Sequence, residues 1–491
     1  MPRKLYEQLV VDVLRSIDDG VLKAGDRLPS IREAAGARQL SITTVKRAYQ
    51  ALESQGAVEG KPKAGYFVCK APAPTESALV QVSRPEPVSA DVDVGRFVLS
   101  TLQRIRGDGA LPLAAPYPDP ALFPWRRIQQ RTNGLARGIG TWNAIDDLPP
   151  GHPEMIRQIA RRHLRNGLDV DPHEIVVTSG ATEAINLCLQ AVAKPGDTIA
   201  VESPTYYAML QAIERMGMRA IELPTDPQRG IDVDALARLM ERQRIDACMA
   251  MPNFQNPAGF LMPDERKRAL VELATRHDMP LIEDGVYNEL YYGAGPPTTL
   301  KAFDTAGIVL HCGSFSKSLT AGVRIGWALA GRYRDQVERL KFINTHSTSA
   351  LAQQGVAAYL ANDGWDHHLR GVRQTLVERS ALMCSMVRRF FPEGTRMSQP
   401  QGGYLLWIEL PKNADTLALY REALARGISI APGRVFSNSD LYRNCLRINY
   451  SHAWTPQIEE AVKVLAKMAN HACRVGKGTG LAEALAPRIA R

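Results

Sequence analysis

The chain has little that would anchor it in a membrane, staple it or hold a metal. No run of about 18 consecutive apolar residues occurs, which excludes an ordinary membrane-spanning helix. Seven cysteines (Cys69, Cys188, Cys248, Cys312, Cys384, Cys445 and Cys473) are scattered, odd in number and without a C-x-x-C pair. That speaks against a disulfide framework or a zinc knuckle and for a reducing, cytoplasmic environment. The histidines, His367-His368 included, show no metal-ligand spacing. The N-terminal MPRKLYEQLVVDVLRSIDDG has carboxylates inside its apolar pattern, so it lacks the uninterrupted apolar core of a secretory signal. Internal repeats are absent, and 38 glycines with 32 prolines are an ordinary share that fits neither collagen nor a low-complexity chain.

What remains is ample material for a folded core. The chain has 491 residues, 45% hydrophobic and 23% charged, which at roughly 150 residues per domain suggests about three domain-sized units. The formal charge of +9 is mild for this length. Nucleic-acid binding needs a motif as well as charge.

Such a motif stands at the N-terminus. Leu5, Leu9, Val10, Val13, Leu14 and Ile17 recur at helical spacing until Gly20. Ser30 and Glu33 make a capping box that opens a short helix running to about Arg38. Ser41 is the N-cap of a third helix, in which Val45, Ala48, Tyr49 and Leu52 form a core-facing stripe. Thr43, Thr44, Lys46, Arg47 and Gln50 lie on its other face. Ala57–Glu59 and Tyr66–Val68 then flank a hairpin whose basic tip holds Lys61 and Lys63. Three short helices and a hairpin are the arrangement of a winged helix-turn-helix, whose third helix enters the DNA major groove. The segments "LPSIREAA", "TTVKRAYQALESQGAVEG" and "KAGYFV" resemble the GntR family of bacterial regulators over about 65 residues. Members of that family commonly have Arg after the serine that opens the recognition helix, where Ile42 stands here. The resemblance therefore leaves DNA contact to Arg32, Ser41, Thr43, Thr44, Lys46, Arg47, Lys61 and Lys63.

We divide the chain into a DNA-binding domain over 1–70, a proline-rich tether over 71–90, an α/β domain over 91–475 and a basic tail over 476–491. In the α/β domain short apolar runs alternate with longer amphipathic ones, which implies a mainly parallel sheet. Five of those runs end in clustered polar residues: Thr178–Glu183, Glu202–Tyr207, Pro252–Gly259, Glu283–Tyr287 and Gly313–Lys317. The carboxyl edge of an open α/β sheet is where ligands bind.

The chemistry follows from those ends. Gly180, Ala181 and Thr182 would offer helix N-terminal N–H groups to a phosphate, helped by the hydroxyls of Ser314 and Ser316 and a clamp from Arg324. Tyr206 would stack on a planar ring, and Asp284 would keep a pyridine nitrogen protonated. Asn256 and Tyr287 would hold a phenolate oxygen, and Lys317 would form the Schiff base. That set suits pyridoxal 5'-phosphate.

The segments "PNFQNPAG", "EDGVY", "SFSKSLTAGVRIGW" and "LRINYS" resemble the fold type I aminotransferases across about 375 residues. The resemblance assigns Arg447 to a substrate or effector carboxylate. It also marks a departure: Asp146-Asp147-Leu148-Pro149-Pro150-Gly151 stands where family members often show Y-x-x-P-x-G.

Head and body together resemble the MocR-type regulators. The implied fold is multidomain, a mainly α winged helix-turn-helix plus an α/β fold type I aminotransferase-like domain with a small C-terminal subdomain. The implied function is a pyridoxal-phosphate-dependent transcriptional regulator that senses an amino-group effector through the Lys317 aldimine. The implied partner is double-stranded DNA with paired half-sites, bound by a homodimer with the head of one subunit against the body of the other. A working aminotransferase with an accessory head remains the alternative, because the residues for transamination are present. A DNA-binding repressor whose body only dimerises is the third reading.

Overall fold

The computed structural model describes residues 5–18, 21–23, 25–54, 57–61, 65–68, 94–107, 109–138, 148–362 and 364–475. The expected tether, the tail, Lys63 and Asp146-Asp147 lie outside the described residues. The chain groups into two compact units, one holding residues 1–78 with 378–391 and the other holding the rest.

In the smaller unit, α1 (Leu5–Asp18), α2 (Ile31–Ala37) and α3 (Ile42–Ser54) precede a hairpin of β1 (Val58–Lys61) and β2 (Gly65–Val68). The capping box forms as expected: the Glu33 N–H donates to Ser30 Oγ at 3.3 Å, and the Ser30 N–H donates to Glu33 Oε2 at 2.8 Å. At the start of α3 the Thr44 N–H donates to Ser41 Oγ at 3.0 Å. The α3 stripe makes the core, with Val45, Ala48 and Leu52 at 0% and Tyr49 at 1% exposure. Leu9, Val10 and Val13 of α1 and Val58 and Val68 of the hairpin close over it. The strands pair antiparallel with Val58 opposite Val68. An unexpected bridge of Arg27 to Phe67 adds a third extended segment to this wing.

The larger unit is built on seven strands: β3 (Ile175–Thr178), β4 (Thr198–Glu202), β5 (Arg219–Leu223), β6 (Ala247–Ala250), β7 (Leu281–Asp284), β8 (Val309–Ser314) and β9 (Gly326–Leu329). Their order is β3-β9-β8-β7-β6-β4-β5. All neighbouring pairs are parallel except those of β9, which runs antiparallel to both β8 and β3. The strands β3, β6, β7, β8 and β9 are buried along their whole length, as a sheet covered by helices on both faces requires. A second, four-stranded sheet joins β10 (Arg396–Met397), β11 (Leu405–Glu409), β12 (Ala431–Pro432) and β13 (Cys445–Asn449) in the order β10-β11-β13-β12. This is the expected small subdomain.

Six cysteines among the described residues are free and buried. Among the described residues no helix is long and apolar enough to cross a membrane.

Candidate functional site

All five expected strand ends, after β3, β4, β6, β7 and β8, converge on one cavity. Its walls include Ala181, Thr182, Tyr206, Asn256, Asp284, Tyr287, Ser314, Ser316, Lys317 and Arg324. Every side chain that the sequence assigns to ring, phosphate or Schiff base therefore faces the same space.

The open end of the cavity is cationic. Gly180 (φ +95°) caps the helix Ala181–Val192. The first intrahelical bonds come from the Glu183 and Ala184 N–H groups, both to the Gly180 carbonyl, so the Ala181 and Thr182 N–H groups carry the free positive end of the helix. Arg324 lies against this turn, its Nη2 donating to the Ser179 carbonyl at 2.9 Å and its Nη1 to Ser316 Oγ at 3.3 Å. The fit is close enough to demand glycine twice. A Cβ on Gly180 would stand 2.4 Å from Arg324 Nη2, and one on Gly326 would stand 2.5 Å from the Gly180 carbonyl carbon.

The inner end holds the titratable groups. Asp284, the last residue of β7, is 3% exposed and accepts the Val286 N–H at 3.1 Å. Burial pushes its carboxyl up to about 6, against that N–H and the charge of Lys317. Burial likewise pushes the Lys317 ammonium down to about 7; Asp284 opposes this, while Arg447 and Arg324 add to it. Lys317 Nζ donates to the Pro116 carbonyl at 2.7 Å and sits 4.3 Å from the Tyr117 ring centre. The Tyr287 hydroxyl donates to Tyr404 Oη at 3.4 Å, and burial raises its pKa. Tyr206, not its neighbour, reaches the cavity; Tyr207 turns into a cluster with Trp407 and Phe436.

Arg447 on β13 is 1% exposed. Its Nη1 donates to Asn256 Oδ1 at 2.9 Å and its Nη2 to the Ala114 carbonyl at 2.6 Å, while its Nε is buried without a hydrogen-bond partner. Among the described residues no carboxylate pairs with it. A buried guanidinium whose acceptors among the described residues are neutral is suited to pair with an anion.

Sequence reasoning missed Pro116, Tyr117 and Tyr404. Tyr404 donates to the Pro116 carbonyl at 2.8 Å and so fixes the carbonyl that Lys317 also uses. The proline-rich stretch Ala115–Pro120 has no periodicity to mark it; its irregularity between patterned segments was the available signal.

In the smaller unit Arg32, Ser41, Thr43, Lys46, Arg47 and Lys61 are exposed and Thr44 is half-buried. The Ser41 hydroxyl lies 2.7 Å from that of Thr44 and already caps α3. Arg47 rests 4.4 Å from the Tyr6 ring centre and Lys61 5.0 Å from that of Phe67. Ile42 is 56% exposed at the start of α3.

Comparison with known proteins gives two family matches: "Aminotransferase class I and II" over residues 130–465 and "Bacterial regulatory proteins, gntR family" over residues 5–68. The uncharacterized HTH-type transcriptional regulator YdcR of Escherichia coli is 39% identical across 95% of this chain and 99% of its own. Aromatic-amino-acid aminotransferase 1 of Thermococcus litoralis is 30% identical across 74% of this chain and 89% of its own. Among solved structures, LysN of Thermus thermophilus, an alpha-aminoadipate aminotransferase complexed with N-(5'-phosphopyridoxyl)-L-leucine, superposes with a TM-score of 0.71. It is 28% identical, covering 78% of this chain and 97% of that one.

Proposed function

The chain belongs to the class I and II aminotransferase family, in the MocR-type architecture that sets a GntR head before that fold, and from this premise we propose that its cofactor domain senses an amino-group ligand and passes the signal to the head. The protein is a DNA-binding transcriptional regulator that uses pyridoxal 5'-phosphate.

The donor set fits this cofactor. A doubly charged phosphate suits a helix N-terminus whose glycine turn leaves no room for a Cβ, flanked by Ser314, Ser316 and Arg324. When bound, the cofactor supplies an electron-withdrawing ring on which amino groups can be exchanged. Asp284 would hold a proton at the ring nitrogen, Tyr206 would stack on the ring, and Asn256 and Tyr287 would donate to its phenolate oxygen. Lys317 is the covalent anchor. With its ammonium pushed down to about 7, a large share of the amine is free base at neutral pH and can act as a nucleophile.

The observation that carries the ligand reading is Arg447, a buried cation whose only hydrogen-bond acceptors among the described residues are an amide and a carbonyl. An α-amino carboxylate would offer this guanidinium a charged partner and bring an amine to the side of Lys317. Such a ligand regulates only by binding two conformations of the body with different affinity. On the DNA side, we assign backbone and base contacts to Arg32, Thr43, Lys46 and Arg47 and propose a homodimer on paired half-sites. Ser41 contributes chiefly by capping the recognition helix, which orients the face that carries the others.

The test is the visible absorbance spectrum of the purified full-length protein with and without Lys317→Ala, followed by steady-state transamination with amino acids and 2-oxo acids. A cofactor band that Lys317→Ala removes, without sustained turnover, supports the regulator. A band with many turnovers moves the account to an enzyme with an accessory head. No band refutes the cofactor assignment to these residues.

A further inference from the structure

Two buried side chains that line no part of the cavity join the loops that carry Tyr206 and Asn256. Glu202 ends β4 and is 1% exposed. Its Oε1 accepts the Met251 N–H at 3.0 Å, and its Oε2 accepts Gln255 Nε2 at 3.0 Å. Gln255, at 0% exposure, gives its other amide hydrogen to the Pro204 carbonyl at 2.7 Å, and its Oε1 accepts the Ala258 N–H at 2.8 Å. Both amide hydrogens and the amide oxygen of Gln255 are thus in use.

The geometry makes one amide group a spacer between two strand ends. Pro204 precedes Tyr206 by two residues, and Gln255 precedes Asn256 by one. Asn256 in turn accepts from Arg447. A shift of Gln255 therefore moves the loop of the stacking ring against that of the phenolate donor, and reaches the guanidinium beyond it. Burial pushes the Glu202 carboxyl up to about 8, against the pull of the Gln255 and Met251 N–H groups.

We propose that Glu202 and Gln255 are positioning residues for the cofactor site, holding the Tyr206 and Asn256 loops at the spacing that the ring and its phenolate oxygen require. This rests on the cofactor reading above. Hydrogen bonds in such a closed network are costly to leave half made, because each orphaned partner stays buried.

The experiment uses the full-length protein, stripped of cofactor and titrated with pyridoxal 5'-phosphate. It records the dissociation constant, the pH midpoint of the visible band and the melting temperature of the cofactor-free form. Gln255→Met keeps the volume and removes all three bonds. It is expected to weaken cofactor binding by about tenfold or more and to move the band midpoint by about half a pH unit or more. Glu202→Gln keeps one of the two acceptors and is expected to move both readings in the same direction by less. A role in folding alone would lower the melting temperature and leave affinity and midpoint at their wild-type values, and that result overturns the proposal. Should Gln255→Met fail to fold, Glu202→Gln decides, an unchanged midpoint counting against the proposal. A wild-type protein without any band overturns the cofactor reading and this inference together, whereas a normal wild-type band with unaffected variants overturns this inference alone.

Discussion

Replacing Gly180 with alanine perturbs the phosphate end of the cavity in a way whose size can be worked out. The residue sits at φ +95° and ψ 167°, a region essentially reserved for glycine, where an L side chain costs about 1–3 kcal/mol. The new Cβ would also stand 2.4 Å from Nη2 and 2.8 Å from Cζ of Arg324. The guanidinium must move, giving up its bonds to the Ser179 carbonyl and Ser316 Oγ and, with them, the position from which we propose it clamps the phosphate. A charge-assisted bond to phosphate contributes about 1.5–3 kcal/mol, which is roughly 10- to 150-fold in affinity. Gly196 is the control. Its φ is +92° but a Cβ there meets nothing within 4 Å, so Gly196→Ala should lower stability without touching the site. The assay is titration of cofactor-free protein with pyridoxal 5'-phosphate, beside melting curves of both variants. Gly180→Ala with wild-type affinity in a folded protein would refute the assignment of this turn to the phosphate.

Arg447→Gln should keep the cofactor band while its spectral response to α-amino carboxylates weakens about 100-fold, as expected for a lost charge-assisted pair; an unchanged response to an amino-acid panel contradicts the carboxylate assignment. The rate at which cofactor-free protein reloads should rise between about pH 6 and 8 and then level, because the Lys317 ammonium, pushed down to about 7, loses its proton in that window. A flat stopped-flow profile across that window would count against it. The same shift destabilises the cofactor-free fold, by its full amount below about pH 7 and by progressively less as pH rises to the ordinary lysine value, so Lys317→Met should melt higher than wild type at about pH 7 and lose that advantage by about pH 10. Ser30→Ala should cost the head about 1 kcal/mol through the lost α2 cap. For the DNA contacts, Lys46→Ala should lower the slope of log affinity against log salt by about one unit and weaken all sequences alike; a loss confined to one sequence would mark Lys46 as a base reader.

How far the sequence foretold the structure depends on the kind of signal each element carries. The α3 stripe and the capping box were legible because helical spacing and cap chemistry are local. The five polar strand ends were legible for a related reason, since a buried apolar run that stops at Gly, Ser, Asp or Asn marks where a strand meets the sheet edge. Strand β9 was not, since Gly326–Leu329 is short and sits inside a motif read for Lys317 and Arg324. Only the sheet order explains its glycine, which passes beside the Gly180 turn. Edge strand β5 alternates weakly and carries Arg219 and Glu222, so no apolar run marks it in the sequence. Pro116, Tyr117 and Tyr404 could not be placed because the contacts are so distant in sequence: Lys317 reaches Pro116 across 201 positions, and Tyr404 reaches it across 288. Glu202 and Gln255 sat in plain view beside the expected residues, but a side chain that works through hydrogen bonds to a neighbouring loop has no spacing rule to announce it.

The central claim is that ligand exchange at Lys317 governs DNA binding. The most direct measurement is the affinity of the full-length protein, loaded with pyridoxal 5'-phosphate, for DNA it selects from a random-sequence pool. It would be titrated with and without a panel of amino acids, for wild type and Lys317→Ala in parallel. The account predicts that at least one α-amino carboxylate changes the wild-type affinity several-fold and leaves Lys317→Ala unmoved. An equal response in both proteins, or the same wild-type affinity under every ligand, would contradict it.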